Sequence, residues 1–406
     1  LSTEKIIKTR LHKKSKIMDK QYVIIGASAA GIGAVRTLLR LDQHARITLI
    51  TDQHENPYNT CLLADYCAGI IEHERLSLIR ELPERVTMLA GTRVVRVISE
   101  QCLIVCDNDR IIPYTSLLLA TGTCAILPPI DGITAQGVFT FHRLRDVINI
   151  LDYAREHAVR DVVIVGAGLS GLEAADALCT RGFNVTLVER AEQVLSDMIA
   201  YDASLCITRY AHNAGVIIKC QMRVTYIEKN TQGYVQAVHL HDGSVIPTQM
   251  VIIAAGVQPN LALARAADLM LGSDYIMVNE YMHTSDSRIY AAGDIIATYD
   301  RVTGTIMRST TWPDAMQQGL IAAHNMAGIV RVYHGIIPVI SSSFFGCKIT
   351  VCGDYRSLVQ AKGTVHINDI VYEQFFHDDG GLKGFAIIGH SLHDITVLKR
   401  SLHLIK

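Results

Sequence analysis

Two segments of the chain share one rhythm of apolar and polar positions. In the clearer one, an apolar run over Val162–Val165 leads straight into Gly166, Gly168 and Gly171. Leu172, Ala175 and Leu178 then recur at helical spacing as far as Arg181-Gly182, and a second apolar run, Val185–Val188, ends on Glu189. Short continuous apolar runs bounded by glycines read as buried parallel strands, and the i, i+3 spacing between them reads as a helix. The predicted order is strand, glycine turn, helix, strand, acid within about 30 residues, the spacing of a dinucleotide-binding βαβ unit. Gly166 makes the tight turn, Gly168 lets the backbone approach a pyrophosphate, and Gly171 lets helix and strand pack closely. The free N–H groups at the helix start, from Leu169 on, then point at phosphate.

The other copy runs from Tyr22 to Asp52, offset by about 140 residues, an internal repeat that makes an accidental match of either copy less credible. Gly26 matches Gly166 and Gly31 matches Gly171, with Ala30 beside it in the helix opening. Ser28 replaces the middle glycine, and its hydroxyl can itself meet a phosphate. Thr51 stands where Glu189 stands in the other copy, which leaves Asp52 as the nearest acid for a ribose hydroxyl.

After each copy comes a strand-rich tract. Thr92–Ser99 and Cys102–Cys106 read as a β-meander before Ile111, and Val216–Lys219, Val235–Leu240 and the Asp242-Gly243 hairpin follow the second copy. Each tract returns to an apolar strand that ends on a turn, at Ala120-Thr121-Gly122 and at Gly256-Val257-Gln258-Pro259-Asn260. A short helix after Asn260 precedes the strand that ends in Gly293-Asp294. There glycine permits close approach and the carboxylate can accept from a polyol hydroxyl; the same two residues also suit a helix N-cap. Trp312-Pro313-Asp314-Ala315 opens a helix to Met326. From Val332 to Lys406, short strands and turns predict a small α+β domain.

Composition narrows the class. The 406 residues are 49% apolar and 19% charged with a net charge of −1, ordinary for a globular protein and without the basic excess that nucleic acid demands. Lys5, Lys8, Arg10, Lys13, Lys14 and Lys16 cluster before Met18 with no apolar stretch behind them, so residues 1–19 are expected to be a disordered basic extension, of which 1–17 may be read as upstream of the true start. No run reaches the ~18 apolar residues of a membrane span, and a cytoplasmic location is expected. The ten cysteines include no C-x-x-C pair. Cys102 and Cys106 are expected on one strand face roughly 13 Å apart, too far for a disulfide. His239 and His241 share a strand face but lack a third ligand, so no metal site is predicted.

Five features in order carry a resemblance: the first glycine loop, Ala120-Thr121-Gly122, the second glycine loop, the Gly256–Asn260 turn, and Thr284-Ser285-Asp286-Ser287 leading into Gly293-Asp294. Residues 20–330 resemble the FAD-dependent pyridine nucleotide–disulfide oxidoreductases. Trp312-Pro313-x-Ala315-x-x-Gln318-Gly319 and the short C-terminal domain look most like rubredoxin/ferredoxin reductases and the NADH–FAD modules of nitrite reductases. The resemblance implies an α/β fold of two Rossmann-like, glutathione-reductase-like dinucleotide-binding domains. FAD would occupy 20–140 with 261–328, NADH would occupy 141–260, and 329–406 would form a C-terminal interface domain.

Departures from the family patterns matter. Cys61 and Cys67 have five residues between them, not the four of a C-x-x-x-x-C redox pair. Cys61 falls at the cysteine of an S-F-x-x-C motif, with Pro57-Tyr58 in place of Ser-Phe, and Ala29 stands where the oxidases and peroxidases carry a histidine. Cys61 is a candidate thiolate beside the flavin, and Glu173 resembles the acidic residue near the nicotinamide. The resemblance thus implies an FAD-dependent NADH:acceptor oxidoreductase, with hydride passing from NADH to FAD and electrons on to a rubredoxin- or ferredoxin-like protein or a small molecule. A CoA-disulfide or persulfide reductase using Cys61 is the alternative, and a non-catalytic flavoprotein subunit of a redox complex is a third. Homodimer or complex subunit stays open, as does the acceptor.

Overall fold

A computed structural model describes residues 20–79, 81–353, 362–367, 371–378 and 381–389. The basic segment at 1–19 lies outside the described residues.

The repeat in the sequence is a repeat in space. The first unit is a five-stranded parallel sheet in the order Ile289–Ala291, Ser116–Leu119, Gln21–Ile25, Arg46–Ile50, Val86–Leu89. The second has the order Val138–Thr140, Met250–Ile253, Asp161–Val165, Asn184–Val188, Ile217–Lys219, also parallel throughout. Four strands correspond one to one. The fifth differs: the first sheet takes its edge strand from far downstream, the second from just upstream. Between the third and fourth strands each unit inserts a three-stranded antiparallel meander, Val94–Ile98 with Leu103–Cys106 and Ile111–Pro113, or Val224–Lys229 with Val235–Leu240 and Val245–Pro247.

The continuous apolar runs are buried on both faces, as parallel strands covered by helices require. Ile24, Leu49, Ile164 and Leu187 have no exposed surface, and each such aliphatic side chain contributes about 1.5–3 kcal/mol by leaving water. The Cys102 expectation is corrected. Cys102 ends a 3₁₀ turn at φ 53, so it lies outside the Leu103–Cys106 strand and shares no strand face with Cys106. Its Sγ instead accepts from Arg288 Nη1 at 2.9 Å.

One segment leaves its own unit. The Leu63–Ala68 helix belongs by sequence to the first unit, yet Tyr58, Leu63, Cys67 and Leu76 sit in the core of the second. That core also takes Phe344, Phe345, Cys347 and Ile349 from the C-terminal sheet. This sheet is antiparallel, in the order Val339–Phe344, Cys347–Cys352, Gly381–Ile388, Tyr372–Asp378, Lys362–Ile367. Among the described residues no helix is long and apolar enough to cross a membrane.

Candidate functional site at the junction of the glycine turns

The two glycine turns are built by the same steric rule. Gly26 and Gly166 adopt φ +114 and +108, a region that side chains rarely enter. A Cβ on either would overlap a carbonyl oxygen of the neighbouring strand end, Ala120 or Ala254. A Cβ on Gly31 or Gly171 would strike the carbonyl oxygen of Gly26 or Gly166, so each helix can approach its turn only with glycine there. The middle position obeys no such rule. Nothing lies within 4 Å of a Cβ built on Gly168, which begins the Leu169–Thr180 helix. Ser28 begins the Ala29–Leu41 helix and its hydroxyl makes no capping bond. At Gly168 there is open space where a side chain would lie, and the Ser28 hydroxyl is left without a capping partner. This is what a pyrophosphate needs.

The terminal acids are used differently. Glu189 folds back on its own turn: its Oε2 accepts from Ala167 N at 2.6 Å and its Oε1 from Ala191 N at 2.8 Å. Asp52 leaves its turn and pairs with Arg143 at 3.2 Å and Arg93 at 3.7 Å. Ala120-Thr121-Gly122 and the Gly256–Asn260 turn form a clasp. Thr123–Ala125 pairs antiparallel with Val257–Pro259. Thr121 Oγ1 donates to Asn260 O at 3.0 Å, and Asn260 Nδ2 donates to Thr121 O at 2.9 Å. Gly122 and Gly256 both sit at positive φ inside this clasp.

Gly293-Asp294 is fixed from the Trp312–Met326 helix. Gly293 N donates to Gln318 Oε1 at 2.7 Å, Gln318 Nε2 donates to Asp314 Oδ2 at 2.7 Å, and the Tyr333 hydroxyl donates to the other Asp314 oxygen. This helix lies directly on Ala29–Leu41, because Gly319 meets the Ala30 carbonyl with no room for a Cβ. Burial pushes the Asp294 carboxyl up to about 6, with Asp314 adding to the rise and Arg308 opposing it. Arg308 Nη1 is itself buried without a hydrogen-bond partner. An orphaned guanidinium nitrogen and a buried carboxyl next to a glycine turn fit a polar ligand such as a ribityl chain.

Cys61 lies in the Thr60–Leu62 turn, where Asn59 Oδ1 accepts from its N–H at 3.0 Å. Tyr58 anchors that turn across the units: its hydroxyl donates to Gln53 at 2.7 Å and accepts from Leu144 N at 2.9 Å. The thiol is exposed, yet its surroundings push its pKa up, first by desolvation, then by Glu173, then by Asp294. Glu173 and Asp294, from distant parts of the chain, thus both act electrostatically on the Cys61 thiol. These surroundings work against the thiolate that the Cys61 motif suggests. Glu173 is also pushed up, by burial and by Asp65, against a hydrogen bond from Ser342 Oγ at 2.6 Å.

Sequence reasoning missed Ser342, Arg143 and Asp65. Each lies in a different element from the residue it serves, and none stands in a motif. Gln318 stood in a quoted motif without a role. His239 pairs with Glu228 at 2.7 Å, and among the described residues no cluster of three or more His, Cys, Asp or Glu could hold a metal. A cavity of 680 Å³ lies apart from the junction, between the Ala29–Leu41 and Trp312–Met326 helices, with Leu39, Met316 and Leu320 between Arg36, Arg40 and Arg331.

Comparison with known proteins agrees with this architecture. Residues 20–319 match the family model described as pyridine nucleotide-disulphide oxidoreductase. The chain is 30% identical over 393 residues to an NADH oxidase of Methanocaldococcus jannaschii, covering 90% of this chain and 87% of that protein. It is 28% identical over 350 residues to the NAD(P)H sulfur oxidoreductase (CoA-dependent) of Pyrococcus furiosus, covering 82% of this chain and 76% of that protein. Among solved structures, reduced CoADR-RHD of Bacillus anthracis superposes with a TM-score of 0.87 at 28% identity, over 96% of this chain and 75% of that one. The chain belongs to the pyridine nucleotide-disulphide oxidoreductase family, and it is an NAD(P)H-dependent oxidoreductase that uses FAD.

Proposed function

We propose that the protein is an NADH:acceptor oxidoreductase in which the first glycine turn holds FAD and the second holds NADH. The observation that carries this is the pair of glycine turns built by the same carbonyl contacts at Gly26 and Gly31 and at Gly166 and Gly171, joined through the Thr121–Asn260 clasp. Bound FAD supplies the hydride-accepting chemistry and relays electrons onward. The chain's residues supply position and charge. Gly26, Ser28, Ala30 and Gly31 would receive the FAD pyrophosphate, with Asp294 toward its polyol. Gly166, Gly168, Leu169 and Gly171 would receive that of NADH. Ala120-Thr121-Gly122 and Gly256, clasped together, fix the distance between the two cofactor sites. Glu189 accepts ribose hydroxyls and opposes a 2′-phosphate. Glu173 is an acceptor for the nicotinamide amide. Among the described residues no disulfide joins any of the ten cysteines, which suits a reducing cytoplasm. Anaerobic titration of the yellow protein with NADH tests the reading: one equivalent should bleach the flavin, and an unbleached flavin overturns it. A following screen of acceptors, small iron–sulfur proteins included, identifies where the electrons go.

A second reading, reduction of a disulfide or persulfide through Cys61, has its own observation. The thiol is exposed, and the arginine-lined cavity is tied to its turn. Arg36 Nη2 donates to Leu78 O at 2.7 Å, and Leu78 N donates to Pro57 O at 2.8 Å, four residues before Cys61. Among the described residues Arg36, Arg40 and Arg331 form no ion pair with a carboxylate, so they suit an anionic sulfur carrier. Cys61→Ser should abolish turnover of such substrates while NADH still bleaches the flavin; retained thiol turnover removes this reading.

A further inference from the structure

The C-terminal sheet reaches the junction through one side chain. In the Val339–Phe344 strand, residues alternate, so Ser342 shares a face with Phe344. Phe344 is buried in the second core, against which this face packs, and Ser342 is the polar position on it. A hydroxyl half-buried on an apolar face is costly unless it is bonded. Its bond goes to Glu173 Oε1, 2.6 Å away on the Leu169–Thr180 helix. One turn further along that helix, Asp176 is raised by burial, and the Phe345 backbone just past the strand opposes that rise. The strand end therefore acts on both carboxylates of this helix, on Glu173 through a side-chain hydroxyl.

We propose that Ser342 is a positioning residue: its hydroxyl orients the Glu173 carboxylate, so that the C-terminal unit sets how the second cofactor is held. This rests on the reading above that Glu173 faces the nicotinamide. The groups around Glu173 otherwise work against its charge. Burial comes first, and Asp65 on the Leu63–Ala68 helix adds to it. Cys61, in the turn before that helix, and Asp176, one turn along the Leu169–Thr180 helix, are the other titratable groups of this region. Ser342 is the group that lowers the Glu173 pKa, so without it the carboxylate takes up a proton at higher pH.

The test is equilibrium binding of NAD⁺ to the flavin-loaded protein by calorimetry across pH, which needs no turnover. Ser342→Ala should weaken binding about fivefold at neutral pH, within the range of one charge-assisted hydrogen bond. It should also move the acidic limb of the binding profile to higher pH, and Ser342→Thr should restore both. In a Glu173→Gln background, Ser342→Ala should change neither quantity, because the charge it serves is gone. If Ser342→Ala does not fold, Ser342→Cys replaces it, with the same expected direction. A folded variant with wild-type affinity and a wild-type limb overturns the proposal, as does an equal loss in the Glu173→Gln background, which would make Ser342 interface packing alone. Wild-type protein that binds no NAD⁺ would instead defeat the reading of the second unit.

Discussion

The two glycine-turn units differ least where backbone meets backbone and most where a ligand would be met. Gly26 and Gly166 have nearly the same φ, and Gly31 and Gly171 are excluded from carrying a Cβ by the corresponding carbonyl. At the tip, one unit has a serine with an unused hydroxyl and the other a glycine facing open space. At the acid, one unit turns its carboxylate onto its own loop and the other gives it to two arginines. What surrounds the helices differs too. Ala29–Leu41 lies against Trp312–Met326, whereas Leu169–Thr180 is covered by the Leu63–Ala68 helix and the C-terminal strand. Steric rules repeat because the fold demands them, and the positions free of those rules are where two copies can diverge to hold two cofactors.

The largest effect that can break this comparison comes from moving one methyl group. Gly26→Ala puts a Cβ into the Ala120 carbonyl at a φ that alanine resists, so loss of the folded, flavin-bound protein is expected. Gly168→Ala meets nothing within 4 Å and keeps an ordinary φ of −73, so its melting temperature should stay at the wild-type value. Only its NADH affinity should fall. Thermal unfolding with flavin content separates the two, and equal destabilisation by both would end the division into steric and ligand-facing glycines. Next in size is Glu189→Ala. Its preference for NADH over NADPH should fall about tenfold or more, the worth of a lost charge-assisted pair of hydrogen bonds. Unchanged Michaelis constants for the two nucleotides would show that Glu189 serves only Ala167 and Ala191.

Much of this was legible in the chain because glycine rules are local. A turn that needs positive φ and a helix that needs a missing Cβ leave their mark within six residues, so both turns, both helices and their strands could be placed from spacing. The site was legible in parts only. Cys61, Glu173 and Asp294 could each be singled out, but nothing in the sequence places the Tyr58–Leu76 segment, which carries Cys61, in the core of the other unit. Ser342 was illegible, since one serine in Ser341-Ser342-Ser343 differs from its neighbours only by which face of the strand it occupies. Cys102 misled because an apolar run was read as beginning one residue too early, at a residue whose φ of 53 ends the preceding turn.

A smaller effect distinguishes the units by pH. The Asp294 carboxyl is raised from 3.8 to about 6 in the folded protein, first by burial and then by Asp314. Between these values the folded state binds more protons than the unfolded state, so this group makes stability fall as pH rises from 3.8 to about 6, and the loss persists above that. Asp294→Asn should flatten that slope in flavin-free protein followed by urea unfolding. A slope as steep as that of the wild type would mean that another group produces it. The second unit has no counterpart of Asp294, because its edge strand comes from upstream; its raised acids are Glu173 and Asp176 on the Leu169–Thr180 helix.

The smallest effect bears directly on the two acids. If Asp52 served FAD as Glu189 would serve NADH, Asp52→Ala should release flavin during purification. The structure gives Asp52 other work: its partners Arg143 and Arg93 are 35% and 69% exposed, and ion pairs of that kind are worth about 0.2–1 kcal/mol. Asp52→Ala should therefore keep its flavin, lower stability by less than about 1 kcal/mol and lose that difference in high salt, where screening removes it. Flavin content after gel filtration, with unfolding at low and high ionic strength, checks all three. Retained flavin would make the first unit dependent on Ser28 and its helix start for the phosphate and on Asp294 for the polyol. Lost flavin would show that the arginine pairs yield to the cofactor, and that the two units hold their riboses by the same rule after all.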